Sequence, residues 1–221
     1  MPDDQDTTSR PTRHLMYFAD PMCSWCWGFA PAIDQILEEF AGVLPLRTVM
    51  GGLRPGHEQP MNDNDKRQKQ GNWEQVHAAS GQPFNFDFFD RDGFIDNTEP
   101  ACRAVVAARR MKPENAIRMM RSIQWAFHTQ NCDVTQVEEL CRLAADTGFD
   151  VDEFRSNFDD IDTMDETRND FWLAQNSGVG SFPTLVAFVG RRAQAVTIGY
   201  RPWQEIGPAL KAWLESDPST T

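Results

Sequence analysis

The spacing of apolar residues near the start of the chain predicts a strand, a helix and a second strand. An apolar run over residues 15–19 is typical of a buried strand, and helically spaced apolar residues predict a helix over about 23–40. A second apolar run, 44–50, predicts another strand. Because the connections are short, the two strands should be parallel with a right-handed crossover. Pro31 should kink the helix, since proline removes a backbone donor and crowds the preceding turn.

The middle of the chain, about residues 53–165, predicts helices and no strand. Residues 54–92 are polar and rich in turn residues, with a short helical segment around 72–79. The run Asn97-Thr98-Glu99-Pro100 is a strong helix start, because a capping side chain precedes a proline in the first turn. Beyond it, the pattern predicts helices over about 101–111, 113–129, 133–148 (capped by Asp133 and ended by Gly148) and from 152 onward.

The last part of the chain returns to alternating elements. A helix over 162–176 is followed by strands over 183–189 and 195–198, which suit a hairpin, and by an amphipathic helix over 203–215. The predicted organisation has three parts: a disordered tail over 1–13, a mixed α/β domain formed by 14–52 and 166–221, and an all-helical insertion over 53–165.

Two cysteines, Cys23 and Cys26, stand at the predicted strand-to-helix turn. The free N–H groups and the positive dipole end of a helix favour an anion, so the pKa of Cys23 should be lowered. Cys26 lies one turn further along and is placed to attack a mixed disulfide formed at Cys23. The residues between them, Ser24 and Trp25, should tune the reduction potential. This arrangement indicates thiol–disulfide exchange.

A structural zinc pair is the alternative interpretation of these two cysteines. Zinc needs further ligands, and His14 and His57 form no recognisable second half-site, so we expect neither a metal nor another cofactor. Cys102 and Cys141 fall on apolar helical faces and should be buried. Cys132 lies beside a predicted helix cap and is a candidate for an exposed thiol, to which the sequence assigns no role.

Charge and composition narrow the class of protein. Hydrophobic residues make up 40% of the chain and aromatics 11%, as in folded globular proteins. The formal net charge of −12 disfavours nucleic acids and anionic membranes as partners. Residues 1–13 do not resemble a secretory signal and no apolar stretch could span a membrane, so we expect a cytoplasmic protein. In that reducing compartment, five cysteines should not form a structural disulfide framework.

Two segments carry a resemblance to a known family. The Cys-x-x-Cys segment, residues 20–28, and the Gly-x-Gly-x-x-Pro-Thr segment, 178–184, resemble the thioredoxin superfamily in its DsbA-like branch. Within it, residues 14–215 look most like cytoplasmic FrnE-like members regarded as protein disulfide isomerases. The resemblance implies an α/β thioredoxin fold with an all-helical insertion. It also implies that Pro183 is cis and packs beside the cysteine pair.

The resemblance further implies which residues form the site. Cys23, Cys26 and Pro183 would be catalytic, and the backbone of Phe182 would pair with an incoming polypeptide as an added strand. Ser24, Trp25, Ser181 and Phe182 would contact the substrate, which is a protein or a glutathione-type disulfide. Asp20 is either a turn residue before a proline or a buried proton acceptor for Cys26. His77 and His128 lie in helical context without partners.

Three functions follow from these expectations. A thiol–disulfide oxidoreductase of the reductase or isomerase type fits best, because neither residue between the cysteines is His, Lys or Arg and strong oxidant behaviour is therefore not expected. A glutathione-linked isomerase or transferase of related fold is the second, although such proteins carry a serine in place of the pair. A non-enzymatic, redox-sensitive chaperone is the third.

Overall fold

The strands of the sheet come from both ends of the chain. The computed structural model describes residues 13–216, in which β1 (Arg13–Ala19) and β2 (Leu46–Met50) precede the long helical segment and β3 (Thr184–Val189) and β4 (Arg192–Ile198) follow it. The sheet order is β2-β1-β3-β4. As predicted, β1 and β2 are parallel, and β3 and β4 form an antiparallel hairpin; β3 also pairs antiparallel with β1.

Helices cover both faces of the sheet. Those of the described residues are α1 (Ser24–Gly28), α2 (Ala30–Glu39), α3 (Asp63–Ser80), α4 (Glu99–Met111), α5 (Ala116–Thr129), α6 (Val137–Asp146), α7 (Val151–Phe158), α8 (Ile161–Asn176) and α9 (Trp203–Glu215). Along β1, Leu15, Tyr17 and Ala19 face the main core, whereas Phe18 packs in a smaller cluster with Val49 and Ala174. Within residues 13–216, no helix combines the length and the apolar character needed to cross a bilayer.

The helix after the cysteine pair differs from the prediction. The expected single helix over about 23–40 is two helices, α1 and α2, which meet at Phe29. Pro31 therefore lies in the first turn of α2, where a missing N–H costs nothing because that N–H would have no partner within the helix. The chain restarts a helix at this point and does not kink one.

The helix α3 is much longer than the segment predicted around 72–79. It begins at a capping box in which Asn62 accepts from the backbone N–H of Asp65 and the Asp65 side chain accepts from that of Asn62. Only Trp73 and Val76 of α3 are buried, so its apolar spacing is too sparse to mark its full length. The helix packs against α1 and thereby reaches the cysteine pair.

The starts of α6 and α4 also differ in detail from the sequence-based prediction. Asp133 accepts from the backbone and hydroxyl of Thr135 at 3.1 and 2.6 Å, and the N-cap position of α6 belongs to Gln136. At α4, the Thr98 hydroxyl accepts from the backbone of Arg54 at 3.1 Å, so it ties the loop after β2 to the helix start. The predicted N-terminal tail, 1–13, lies outside the described residues except for Arg13.

A buried ion network joins the insertion to the sheet. Arg109 of α4 donates to Asp170 of α8 at 2.8 Å, to Glu166 at 2.6 Å and to the Thr48 carbonyl of β2 at 2.6 Å. Asp170 is 2% exposed and also accepts from the backbone of Met50 at 2.9 Å. Removal of the guanidinium would leave a buried carboxylate without its counter-charge.

We therefore expect Arg109→Ala to lower the free energy of unfolding by roughly 3 kcal/mol, measured by urea denaturation. Arg142→Ala is the matched control, since Arg142 pairs with Glu139 and Asp146 on an exposed helix face. Its effect should stay below about 1 kcal/mol. Equal losses in the two variants would contradict the structural role given to the Arg109 network.

Candidate active site

The two cysteines lie where β1 gives way to α1, but at different depths. Cys23 occupies the N-cap position of α1, and the Cys23 N–H donates to the Asp20 carbonyl at 3.1 Å. Its side chain is 7% exposed, whereas Cys26 is fully buried. All five cysteines lie within residues 13–216 and are free thiols, so the structure presents the reduced pair. Cys23 is therefore the sulfur that a substrate can reach first.

The loop before β3 lies against this sulfur. The Phe182–Pro183 peptide bond is cis, as the resemblance implies, and Pro183 is buried. The Cys23 thiol lies 3.7 Å from the Phe182 carbonyl oxygen and can donate to it. The loop thus presents main-chain polar groups beside the Cys23 sulfur.

The aromatic ring of Phe182 packs over the end of β2, on Gly51. A Cβ atom at Gly51 would lie 2.1 Å from the Phe182 ring, so only glycine fits beneath it. The sequence showed the two glycines, Gly51 and Gly52, only as the end of a strand. The contact of Gly51 with Phe182, more than a hundred positions away, has no local signal in the sequence.

We expect Gly51→Ala to push the Phe182 ring and its loop away from Cys23. Overpacking of this kind costs about 1–3 kcal/mol of stability and should also lower disulfide-exchange activity. Gly71→Ala serves as the control, because a Cβ at Gly71 of α3 meets nothing within 4 Å among the described residues. Urea unfolding and exchange rates measure both variants, and a Gly51→Ala protein that matches Gly71→Ala in both would show that the contact is not needed.

The two thiols have opposite pKa shifts. A hydrogen bond from the Cys26 thiol holds the pKa of Cys23 below its usual value, and backbone N–H groups of Cys26 and Trp25 add to this. Burial and the nearby negative charge of Asp20 work against the shift. Burial, reinforced by Cys23, raises the pKa of Cys26 well above its usual value. Of the two thiols, Cys23 is therefore the one that ionises first.

The direction of the Cys23 shift agrees with the sequence analysis, but the main cause does not. A helix dipole is the cause expected from the sequence, but α1 has only five residues. The largest effect is the thiol of Cys26, which acts as a hydrogen-bond donor to the sulfur.

Asp20 holds the turn before the cysteine pair, which is one of the two roles that the sequence left open. It is fully buried, and its carboxylate accepts from the backbone N–H of Met22 at 2.8 Å and of Leu53 at 2.7 Å, which holds the turn. Cys102, buried as predicted, donates to the same carboxylate at 3.4 Å. Burial raises the pKa of Asp20. A role for Asp20 as the proton acceptor of Cys26 stays a prediction.

A cleft of about 330 Å³ opens beside Cys23. It is lined by the four residues predicted to contact substrate: Ser24, Trp25, Ser181 and Phe182. The opposite wall comes from α3 and from the loop after β2, and the sequence analysis did not identify it. There Lys69 donates to both carboxylate oxygens of the buried Asp96 at 2.9 and 2.7 Å, and Arg54 lies 3.8 Å from that carboxylate.

The remaining candidate ligands take other roles. Across residues 13–216, no three His, Cys, Asp or Glu side chains come together in a way that could hold a metal ion. His14 stacks on Phe188, and His128 stacks on Trp27 in the core. Burial lowers the pKa of His128 to about 3, so it is neutral at physiological pH. Cys141 is 7% exposed, and Cys132 is partly exposed.

Comparison with known proteins identifies the family. A family model described as thioredoxin matches residues 16–199. The solved structure of a candidate protein disulfide isomerase from Nitrosomonas europaea is 36% identical, with a TM-score of 0.87, and the match covers 92% of this chain and 98% of that one. The chain therefore belongs to the thioredoxin family, in its DsbA-like form. Fold and cysteine pair together support thiol–disulfide oxidoreductase activity in general.

More distant relatives share the fold. The cytosolic disulfide reductase DsbM of Pseudomonas aeruginosa, solved with GSH, is 23% identical with a TM-score of 0.75, and the match covers 92% of this chain and all of that one. The ClpXP adapter protein SpxH of Halalkalibacterium halodurans is 23% identical over 84% of this chain and 62% of its own length. SpxH of Bacillus subtilis is 23% identical over 79% of this chain and 58% of its own. The chain thus spans about six tenths of the length of these curated relatives.

We expect Cys26→Ala to move the pH dependence of Cys23 alkylation to higher pH, because the hydrogen bond that lowers the Cys23 pKa is lost. At neutral pH the rate should fall about three- to tenfold, since the smaller thiolate fraction outweighs the higher nucleophilicity of a more basic sulfur. Iodoacetamide labelling followed by mass spectrometry measures it. Cys132→Ala is the control and should leave the alkylation rate of Cys23 unchanged. If the pH profile of Cys23 alkylation does not shift in Cys26→Ala, the backbone amides and not the Cys26 thiol stabilise the Cys23 thiolate.

Proposed function

We propose that the protein is a disulfide reductase or isomerase that acts through Cys23 and Cys26. The observation that carries the proposal is the unequal pair, of which Cys23 lines the cleft and Cys26 lies buried behind it. Cys23 is reachable and has a lowered pKa, and Cys26 is buried, has a raised pKa and donates to it. Such a pair divides the reaction between an attacking sulfur and a resolving sulfur.

The cycle begins with the Cys23 thiolate. It attacks one sulfur of a substrate disulfide, a bond forms between Cys23 and that sulfur, and the other substrate sulfur leaves as a thiolate. Cys26 then loses its proton and attacks Cys23, so the Cys23–Cys26 disulfide forms and the second substrate sulfur leaves. The substrate gains two electrons and, with protonation of its thiolates, ends as two thiols. A reducing thiol of the cell must restore the enzyme pair.

Isomerisation uses the first half of this cycle. When a second thiol of the same substrate attacks the mixed disulfide before Cys26 does, the substrate keeps a rearranged disulfide and Cys23 is released as a thiolate. No electrons are consumed in that case. The balance between the two outcomes depends on how fast Cys26 reacts.

Reduction is favoured over oxidation by the surroundings of Cys23. A strongly oxidising pair needs a thiolate that is stabilised far more than its disulfide. Here burial and the negative charge of Asp20 oppose the stabilisation of Cys23. The residues between the cysteines, Ser24 and Trp25, add no positive charge. We propose that the protein works in this direction in the cytoplasm, the setting in which DsbM is described as a reductase.

The cleft supports protein or glutathione-type disulfides as substrates. Its volume suits a short peptide segment or a tripeptide, and its far wall offers the charged groups of Lys69, Arg54 and Asp96 next to the Trp73 ring. The main chain of Phe182 borders the cleft and could pair with an extended peptide. The structure of DsbM with GSH shows that a relative of the same fold was solved with such a tripeptide.

An insulin-reduction assay tests the proposal. With a thiol reductant present, the protein should accelerate precipitation of insulin chains, and Cys23→Ser should slow turnover by about a hundredfold or more because the attacking sulfur is gone. Cys132→Ser is the matched control, since Cys132 lies outside the cleft, and its rate should equal that of the parent protein. A Cys23→Ser variant with full activity would refute the assignment.

The Cys26→Ala variant separates the remaining functions. It should hold substrates as mixed disulfides on Cys23, which mass spectrometry of a treated cell extract can identify. Many captured proteins would support a general reductase or isomerase, and glutathione alone a small-molecule role. Binding of client proteins that survives Cys23→Ser would support an adapter or chaperone function, as the SpxH relatives suggest.

A further inference from the structure

The hydroxyl group of Tyr17 is buried and makes no well-formed hydrogen bond to any of residues 13–216, although a weak hydrogen-bond contact with the Cys26 thiol contributes to its raised pKa. Tyr17 is 1% exposed, points from β1 into the main core, and packs its ring 5.9 Å from that of Phe29 at the end of α1. Native structures rarely leave a buried hydroxyl unpaired, because its desolvation is then uncompensated. This hydroxyl therefore calls for a functional explanation.

Cys26 is the reactive group beside this hydroxyl. After burial, the negative charge of Cys26 is the largest influence that raises the pKa of Tyr17, and a smaller one comes from Cys23. The phenol is thus neutral at physiological pH and can donate a proton in a hydrogen bond but cannot act as a base. Asp20, the other ionisable group facing the pair, also disfavours negative charge on Cys26.

A positive charge lies behind the same sulfur. Arg121 of α5 donates to Gln124 Oε1 at 3.0 Å, to Asp34 at 2.8 Å and to the Ala30 carbonyl. Its guanidinium interacts with both Tyr17 and Cys26. Gln124 Nε2 is a second buried donor with no acceptor in the described part of the chain. The Tyr17 hydroxyl and the Arg121 guanidinium therefore both act on a sulfur that must become negative during the cycle.

We propose that the Tyr17 hydroxyl donates a hydrogen bond to the Cys26 sulfur when that sulfur becomes a thiolate, with Arg121 supplying positive charge behind it. This role rests on the proposed function. In the mixed disulfide, Cys23 is bonded to the substrate, so Cys26 no longer has the Cys23 thiolate to donate to. Cys26 gives up its proton, attacks Cys23 and breaks the bond between Cys23 and the substrate. The proton ends on the departing substrate thiol, and Tyr17 keeps its own.

The test compares the two tyrosines of the chain. Reduced protein is mixed with glutathione disulfide, quenched with acid and alkylated, and mass spectrometry then counts mixed and intramolecular disulfides over time. Tyr17→Phe should slow the resolving step about three- to tenfold at neutral pH, and the mixed disulfide should accumulate. The deficit should shrink as the pH is raised, since Cys26 then ionises without help. Tyr200→Phe is the control, because the Tyr200 hydroxyl donates to the Ala79 carbonyl at 3.1 Å on the surface.

A second measurement isolates the first step. In a Cys26→Ala background, attack of Cys23 on glutathione disulfide should be equally fast with Tyr17 or Phe at position 17. Tyr17→Phe removes an oxygen that makes no well-formed hydrogen bond, so its urea unfolding midpoint should not fall. Arg121→Lys keeps the positive charge and should preserve most of the resolving rate, whereas Arg121→Met should lower it.

The outcomes separate this role from the proposed function. If the parent protein forms neither disulfide species, the oxidoreductase proposal fails and the role of Tyr17 fails with it. If the parent completes the cycle and Tyr17→Phe completes it equally fast, only the role of Tyr17 is overturned. A Tyr17→Phe variant that slows attack by Cys23 as much as resolution also overturns it, because the effect would then not be specific to Cys26.

Discussion

The hydrogen bond between the two thiols is the interaction on which the site depends. An anion at the edge of a packed core is unfavourable unless donors surround it. Cys23 meets that requirement chiefly through Cys26 and, to a smaller extent, through the first amides of a very short helix. The same bond makes the pair unequal, since it lowers the pKa of the acceptor, Cys23, and raises that of the donor, Cys26.

The rest of the fold brings these groups together from distant parts of the chain. The β1–α1 junction supplies the thiols, the loop before β3 supplies the cis proline, and the end of β2 leaves space at Gly51 for the Phe182 ring. The Arg109–Asp170 pair fixes the insertion to the sheet. A small displacement of any of these parts would change the surroundings of Cys23.

The sequence predicted the elements with strong local signals. The apolar run of β1, the hairpin of β3 and β4, and the final helix, which starts at Trp203 and ends at Glu215 as expected, are examples. The α3 helix was largely missed because its polar residues outnumber Trp73 and Val76, its buried ones. The length of a mostly solvated helix is set by its caps and by what it packs on, which apolar spacing does not record.

In the site, too, the sequence predicted only the features that have a local signal. The cysteine pair and the proline loop could be identified because each is a short local motif. The resemblance to the family predicted that the two lie side by side. The sequence did not predict the Lys69–Asp96 and Cys102–Asp20 contacts, because these join residues 27 and 82 positions apart and belong to no motif. The main cause of the lowered Cys23 pKa was also missed, since it depends on how the Cys26 side chain is turned.

The far wall of the cleft has a consequence for how this protein could diversify. Lys69 and Trp73 sit on a helix that takes no part in the sulfur chemistry, yet they face whatever enters beside Cys23. One wall of the cleft is thus encoded in a stretch of the gene separate from the one that encodes the two cysteines. Substitutions in α3 could therefore change which molecules bind in the cleft and leave the cysteine pair unchanged.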